Sequence, residues 1–163
     1  MLTRFTPLAL ACALLLILVS PGHAQEARLG LGDIAPDHSL KTFAGKTVNL
    51  SDYAGRKLVI AFMVPGSGAC HSIAPLLERE IWQKLKGQSV GVLGVLVRAR
   101  RAQRFATGHS LSFPVAVDAA LVRRFNSDGY PFVVVLDGSR KLIYTSRKKP
   151  ADSIIPALKK LLG

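Results

Sequence analysis

Leu58-Val59-Ile60-Ala61-Phe62-Met63-Val64-Pro65-Gly66-Ser67-Gly68-Ala69-Cys70-His71 is the stretch that decides the fold. Its first half is an unbroken apolar run, which reads as a strand covered on both faces. Pro65 and Gly66 end that strand. Ile73, Leu76, Leu77, Ile81 and Leu85 then recur at helical spacing, so a helix begins at Ser67 or Gly68 and runs to about Lys86. Pro75 lies early in it and predicts a kink, because proline has no N–H for the preceding turn. A buried strand that passes straight into an amphipathic helix belongs to a layered α/β fold, with a cleft at the turn.

Outward from this unit the same alternation continues. Ser89 to Val97 reads as a second buried strand, Arg100 to His109 as a helix with Phe105 and Ala106 on one face, and Phe113 to Val117 as a third strand. Ala119 to Phe125 is a short helix. Phe132 to Leu136 and Lys141 to Tyr144 form a hairpin turned at Asp137-Gly138-Ser139-Arg140. A last helix from about Ala151 carries Ile154, Ile155, Leu158, Leu161 and Leu162 as an apolar stripe. Upstream, Thr47 to Leu50 is a short strand, Ser51 to Gly55 a capped turn, and Gln25 to Asp37 a polar lead-in. Together these elements imply a three-layer α/β/α sandwich with a central mixed sheet.

The 163 residues suffice for one domain, and a hydrophobic content of 49% against 20% charged residues fits a packed core. The amino terminus reads differently. Arg4, an apolar run from Leu8 to Val19, then Ser20-Pro21-Gly22-His23-Ala24 match a secretory signal of residues 1–24, cleaved after Ala24. An uncleaved membrane anchor is the alternative, but it needs about 18 or more apolar residues, and this run is shorter. The expected mature domain is residues 25–163, periplasmic or secreted. Cys12 leaves with the signal, so Cys70 is the only thiol of the mature chain and no disulfide forms within it.

Lysine and arginine number 22 against 10 acidic residues, a formal charge of +12. For an exported protein such an excess favours anionic lipid headgroups or an acidic protein over nucleic acid. The basic residues are scattered, with clusters at Arg98, Arg100, Arg101 and Arg104, at Arg123 and Arg124, and at Arg147, Lys148 and Lys149. A solvated basic surface is the plain reading of them.

Chemistry concentrates at the strand-to-helix turn. Ser67 fits the helix N-cap, which places Cys70 in the first turn, where free N–H groups and the positive end of the helix dipole favour a thiolate. On this reading Cys70 is open to solvent and more acidic than a free cysteine. A lone cysteine is also read as a small buried hydrophobe. His71 points away from Cys70, as consecutive helical residues do, and reads as a surface histidine. Copper or haem handling by Cys70 and His71 lacks further ligands, since nothing in the spacing brings His38 or His109 close. No cofactor and no metal is expected.

Several segments carry a family resemblance. Gly32-Asp33-Ile34-Ala35-Pro36, Gly45 to Arg56 with the strand to Phe62, Phe113 to Asp118, and Gly129 to Gly138 resemble the redoxin branch of the thioredoxin superfamily. That branch holds TlpA/ResA-like thiol-disulfide oxidoreductases, MauD-like accessory proteins and AhpC/TSA peroxiredoxins. The resemblance spans roughly Gly32 to Gly163 and implies a thioredoxin-like fold. It places Ser67 where the oxidoreductases have the attacking cysteine of Cys-x-x-Cys, and Cys70 on the second. Serine forms no disulfide, so ordinary two-cysteine turnover is excluded. Ser-x-x-Cys is also similar to the Thr/Ser-x-x-Cys of peroxiredoxins, yet Pro131 stands where their arginine is expected. Pro131 instead matches the cis-proline of the thiol-disulfide branch, whose backbone pairs with a bound polypeptide, and a cis Tyr130-Pro131 bond is the expectation.

The resemblance therefore implies an exported redox protein acting through Cys70 and Ser67, with Gly68, Ala69, Tyr130 and Pro131 binding the substrate. Cys70 would form a mixed disulfide with client thiols, or a sulfenic acid resolved by an external thiol reductant. Two alternatives stand beside it. One is a one-cysteine peroxiredoxin-like peroxidase with an antioxidant role, in which Ser67 positions peroxide. The other is a non-catalytic binding or assembly factor that holds a client in the cleft around Ser67, Cys70 and Pro131.

Overall fold

The computed structural model describes residues 28–125 and 129–163; the expected signal segment 1–24 and Cys12 lie outside the described residues. A five-stranded mixed sheet forms the centre, in the order β5-β4-β3-β6-β7. Its strands are β3 (Lys57–Met63), β4 (Val90–Leu96), β5 (Val115–Val117), β6 (Phe132–Leu136) and β7 (Leu142–Thr145). Parallel pairing joins β3 to β4 and β4 to β5, whereas β6 runs antiparallel to both β3 and β7.

Alternation along β3 divides the core. Val59, Ala61 and Met63 face one cluster, with Ile73, Ala74, Leu77 and Ile81 and with Ile154 and Leu158 of the last helix. Leu58, Ile60 and Phe62 face the other, with Leu121, Val122 and Phe125 and with Leu40 and Leu50 of the amino-terminal segment. One face is thus covered by helices α1 (Gly68–Leu76), α3 (Ala102–Gly108) and α5 (Ile154–Leu162), the other by α4 (Ala119–Phe125). The three-layer sandwich expected from the alternation of elements is the architecture observed, because a strand buried on both faces requires cover on each.

The long first helix is not uniform. After α1 the chain passes through a π-helical stretch, Leu77–Trp82, into a single α-helical turn, α2 (Gln83–Leu85). Pro75 accounts for the disturbance: it gives the helix no N–H and its ring crowds the preceding turn, so the ladder changes pitch just beyond it. The third strand begins at Val115 rather than Phe113, because Pro114 has no N–H for the ladder; its carbonyl still accepts from Gly94 N–H at 2.9 Å.

Two short strands, β1 (Ser39–Lys41) and β2 (Thr47–Asn49), pair antiparallel as a separate hairpin, and β1 follows the polar lead-in in a stretch to which the sequence reading assigns no element. Leu50–Tyr53 follows as a 3-10 turn that presses Tyr53 against β4. A Cβ at Gly91 would sit 2.3 Å from the Tyr53 ring, so only glycine fits there without moving the ring.

Candidate thiol site

β3 ends at Met63, and the turn Val64-Pro65-Gly66 delivers the chain to α1. Ser67 has extended backbone angles and caps that helix: its Oγ accepts from Cys70 N–H at 3.4 Å. Ser67 is half-buried and Gly68 and Ala69 are exposed, so the cap and first turn face solvent. Cys70 does not. Its side chain has no exposed surface, and its Sγ accepts from Val64 N–H at 3.4 Å.

The expectation of an open, acidic thiol is therefore corrected. Burial pushes the Cys70 thiol above its ordinary value of 9.0, outweighing the hydrogen bonds from Val64 and Ser67 that favour the thiolate. No cation contributes to holding it ionised. The residue spacing contains the reason. Cys70 lies three, four and seven positions before Ile73, Ala74 and Leu77, so it shares the inward stripe of α1 and packs with it in the same cluster. Extending that stripe back by one turn identifies the burial in the sequence itself.

His71 points elsewhere, as helix geometry requires. One ring nitrogen, Nε2, lies 2.9 Å from Pro65 O, and Nδ1 lies 2.7 Å from His109 Nε2. A carbonyl only accepts, so His71 Nε2 carries the hydrogen, and in the neutral ring Nδ1 accepts from His109. Phe105 packs edge-on against both rings, with centroids 4.9 and 4.7 Å away. His109 thus comes close to His71, contrary to the spacing argument, because α3 folds over the same sheet face as α1. His38 sits apart and pairs with Asp118 at 2.8 Å. Among the described residues no three His, Cys, Asp or Glu side chains gather as a metal site.

Opposite the helix cap, the Tyr130–Pro131 peptide bond is cis. Pro131 leads into β6, next to central β3, which brings it towards the start of α1. A cavity of about 330 Å³ joins Ala69 to Gly129, Tyr130 and Pro131 and continues to Ser146, Arg147, Lys148 and Lys149. Ala69, Tyr130 and Pro131 therefore line one cavity, while Ser67, Gly68 and Cys70 do not line it. The basic wall is the part that sequence reasoning left among the solvated charges. Hairpin pairing explains it: Ser146 N donates to Val133 O and Ser146 Oγ accepts from Val133 N–H, both at 2.8 Å, which returns residues 146–149 alongside the start of β6.

Comparison with known proteins agrees with the fold. The model of the AhpC/TSA family matches residues 31–145. Thioredoxin-like protein YneN of Bacillus subtilis is 28% identical over 117 residues, 69% of each chain. Thiol-disulfide oxidoreductase ResA of Geobacillus kaustophilus is 26% identical over 134 residues, 78% of this chain and 76% of that protein. The crystal structure of a Chlorobium tepidum protein described as thiol:disulfide interchange protein DsbE superposes with a TM-score of 0.71 at 27% identity, covering 83% of this chain and 99% of that one. The chain thus belongs to the AhpC/TSA family, in the redoxin branch of the thioredoxin-like superfamily, and stands with its thiol-disulfide oxidoreductase-like members.

Proposed function

We propose that this chain is an exported, thioredoxin-fold client-binding protein that holds an extended polypeptide between the start of α1 and Pro131 without exchanging disulfides. The observation that carries this reading is the sealed Cys70 side chain behind a hydroxyl at Ser67. In the thiol-disulfide branch the attacking cysteine stands at the position of Ser67, and a serine there forms no bond to sulfur. The second position keeps a thiol, but it is protonated at neutral pH and inaccessible. What this site retains of the oxidoreductase plan is the polypeptide-binding edge at Tyr130 and Pro131. Export rests on residues 1–24, whose basic start, apolar run and small residues before Gln25 suit a cleaved leader.

A second reading keeps the redox chemistry at Cys70, as a single-thiol oxidoreductase or peroxidase. It draws support from the Val64 N–H and the Ser67 side chain, whose hydrogen bonds to the sulfur favour the thiolate. The missing cation weighs against it.

One experiment separates the two. An unfolded polypeptide with its thiols blocked is titrated against the mature chain and its Cys70→Ala variant, and insulin reduction and peroxide consumption are followed in parallel. Client binding predicts equal affinity for both proteins, no insulin reduction above background, and peroxide consumption no faster than by free cysteine. Loss of binding in Cys70→Ala, or rapid peroxide turnover, transfers the site to the second reading.

A further inference from the structure

We infer that the client segment at this site is acidic, with a carboxylate seated in the basic end of the cavity beside Pro131. The inference rests on the client-binding reading and adds the chemical class of the client. Three consecutive cationic residues, Arg147, Lys148 and Lys149, form one wall, and Ala69, Pro131, Phe132 and Ala151 supply apolar surface around them. Charges beside an apolar floor interact more strongly than charges on an open surface, because less water screens them. A volume of about 330 Å³ accommodates a carboxylate side chain with its neighbouring backbone.

The wall is held in place. Lys149 N donates to Ser146 O at 2.9 Å, closing a turn in which Lys148 has a φ of 58°, a left-handed conformation that residues other than glycine seldom adopt. Arg147 Nη2 donates to Phe125 O at 3.2 Å, and Lys149 Nζ stands 4.4 Å above the Tyr144 ring. Among the described residues, no Asp or Glu lines the cavity, and neither Lys148 nor Lys149 has a carboxylate at ion-pair distance. An extended chain laid along Gly129 and Tyr130 therefore passes over the charges of Lys148 and Lys149, which meet no carboxylate among the described residues. An acidic segment complements it, and a neutral or basic one leaves it uncompensated.

The test uses the mature protein and two synthetic, fluorescently labelled extended peptides that differ only in carrying a pair of glutamates or a pair of glutamines. At low salt the glutamate peptide is expected to bind about tenfold tighter. The advantage should fall below about twofold in Lys148→Gly/Lys149→Gln and shrink as salt shortens the screening length. Glycine at 148 keeps the left-handed turn, both lysines are exposed, and Lys149→Gln alone serves as a second variant should the double change disturb folding. Equal binding of the two peptides overturns the acidic-client inference and leaves client binding intact. Failure of both peptides to bind overturns both. Vesicles of phosphatidylglycerol that bind with the same lysine dependence, while the peptides are not discriminated, assign the wall to a lipid surface and overturn the inference.

Discussion

Two side chains three positions apart shape the start of α1. Ser67 is the half-buried helix cap; Cys70 is its hydrogen-bond partner and the buried member of the pair. Replacing Ser67 with cysteine should create a Cys-x-x-Cys and, with it, insulin reduction above that of the natural sequence, because an accessible thiol at 67 attacks and Cys70 resolves. Ser67→Ala should instead cost about 1 kcal/mol of stability through loss of the cap, read from chemical denaturation. The position of Cys70 in the first helical turn is legible from Pro65-Gly66-Ser67. Its burial is not evident from the cap alone, because the cap fixes where the helix begins, while the packing of Ile73, Ala74 and Leu77 on β3 and β4 fixes which way Cys70 faces.

Among the elements, the long apolar runs and the hairpin were readable because their periodicity extends over many residues. The short ones were not: β1 has three residues, too few to establish a period, and it exists through its pairing with β2. The hairpin turn at 137–140 shows the opposite case, where local chemistry is sufficient. Asp137 Oδ1 accepts from the N–H groups of Ser139 and Lys141, both at 2.9 Å, and from the Ser139 hydroxyl at 2.7 Å. Gly138 in that turn lies against another loop; a Cβ there would stand 2.8 Å from the backbone of Gly55. Gly138→Ala should accordingly lower stability by about 1–3 kcal/mol, because backbone cannot yield as a side chain does; equilibrium unfolding in denaturant measures it. The same change at Gly66, which has no neighbour within 4 Å, should have much less effect.

For the whole molecule, titration gives a signed expectation. Burial, with the charge of His71, lowers His109 below its ordinary 6.5. The unfolded chain then takes up that proton first, so stability falls as pH drops below about 6.5 and levels off once His109 is protonated in the folded state too. A second decline should follow below about 4. Lys159, Lys84 and Arg79 hold Glu80 well below the usual carboxylate range, and hydrogen bonds from Ser51 and Ser139 lower Asp37 and Asp137. Their contribution is present above the ordinary carboxylate values and is lost as pH falls through the folded ones. Thermal unfolding across pH should show both steps, and His109→Asn should remove the upper one. The architecture as a whole was legible because alternating strands and helices admit few packings. The basic wall was not, since a cluster of charges acquires meaning only when the β6–β7 hairpin sets it beside Pro131.

Sulfur accessibility at Cys70 tests the account most directly. Residues 25–163 are reacted with iodoacetamide at neutral pH, folded and in denaturant, and the rate of labelling at Cys70 is followed by mass spectrometry. A sealed, protonated thiol predicts labelling at least about a hundredfold slower in the folded protein. Labelling of the folded chain as fast as, or faster than, the unfolded one contradicts the account and returns Cys70 to the centre of the chemistry.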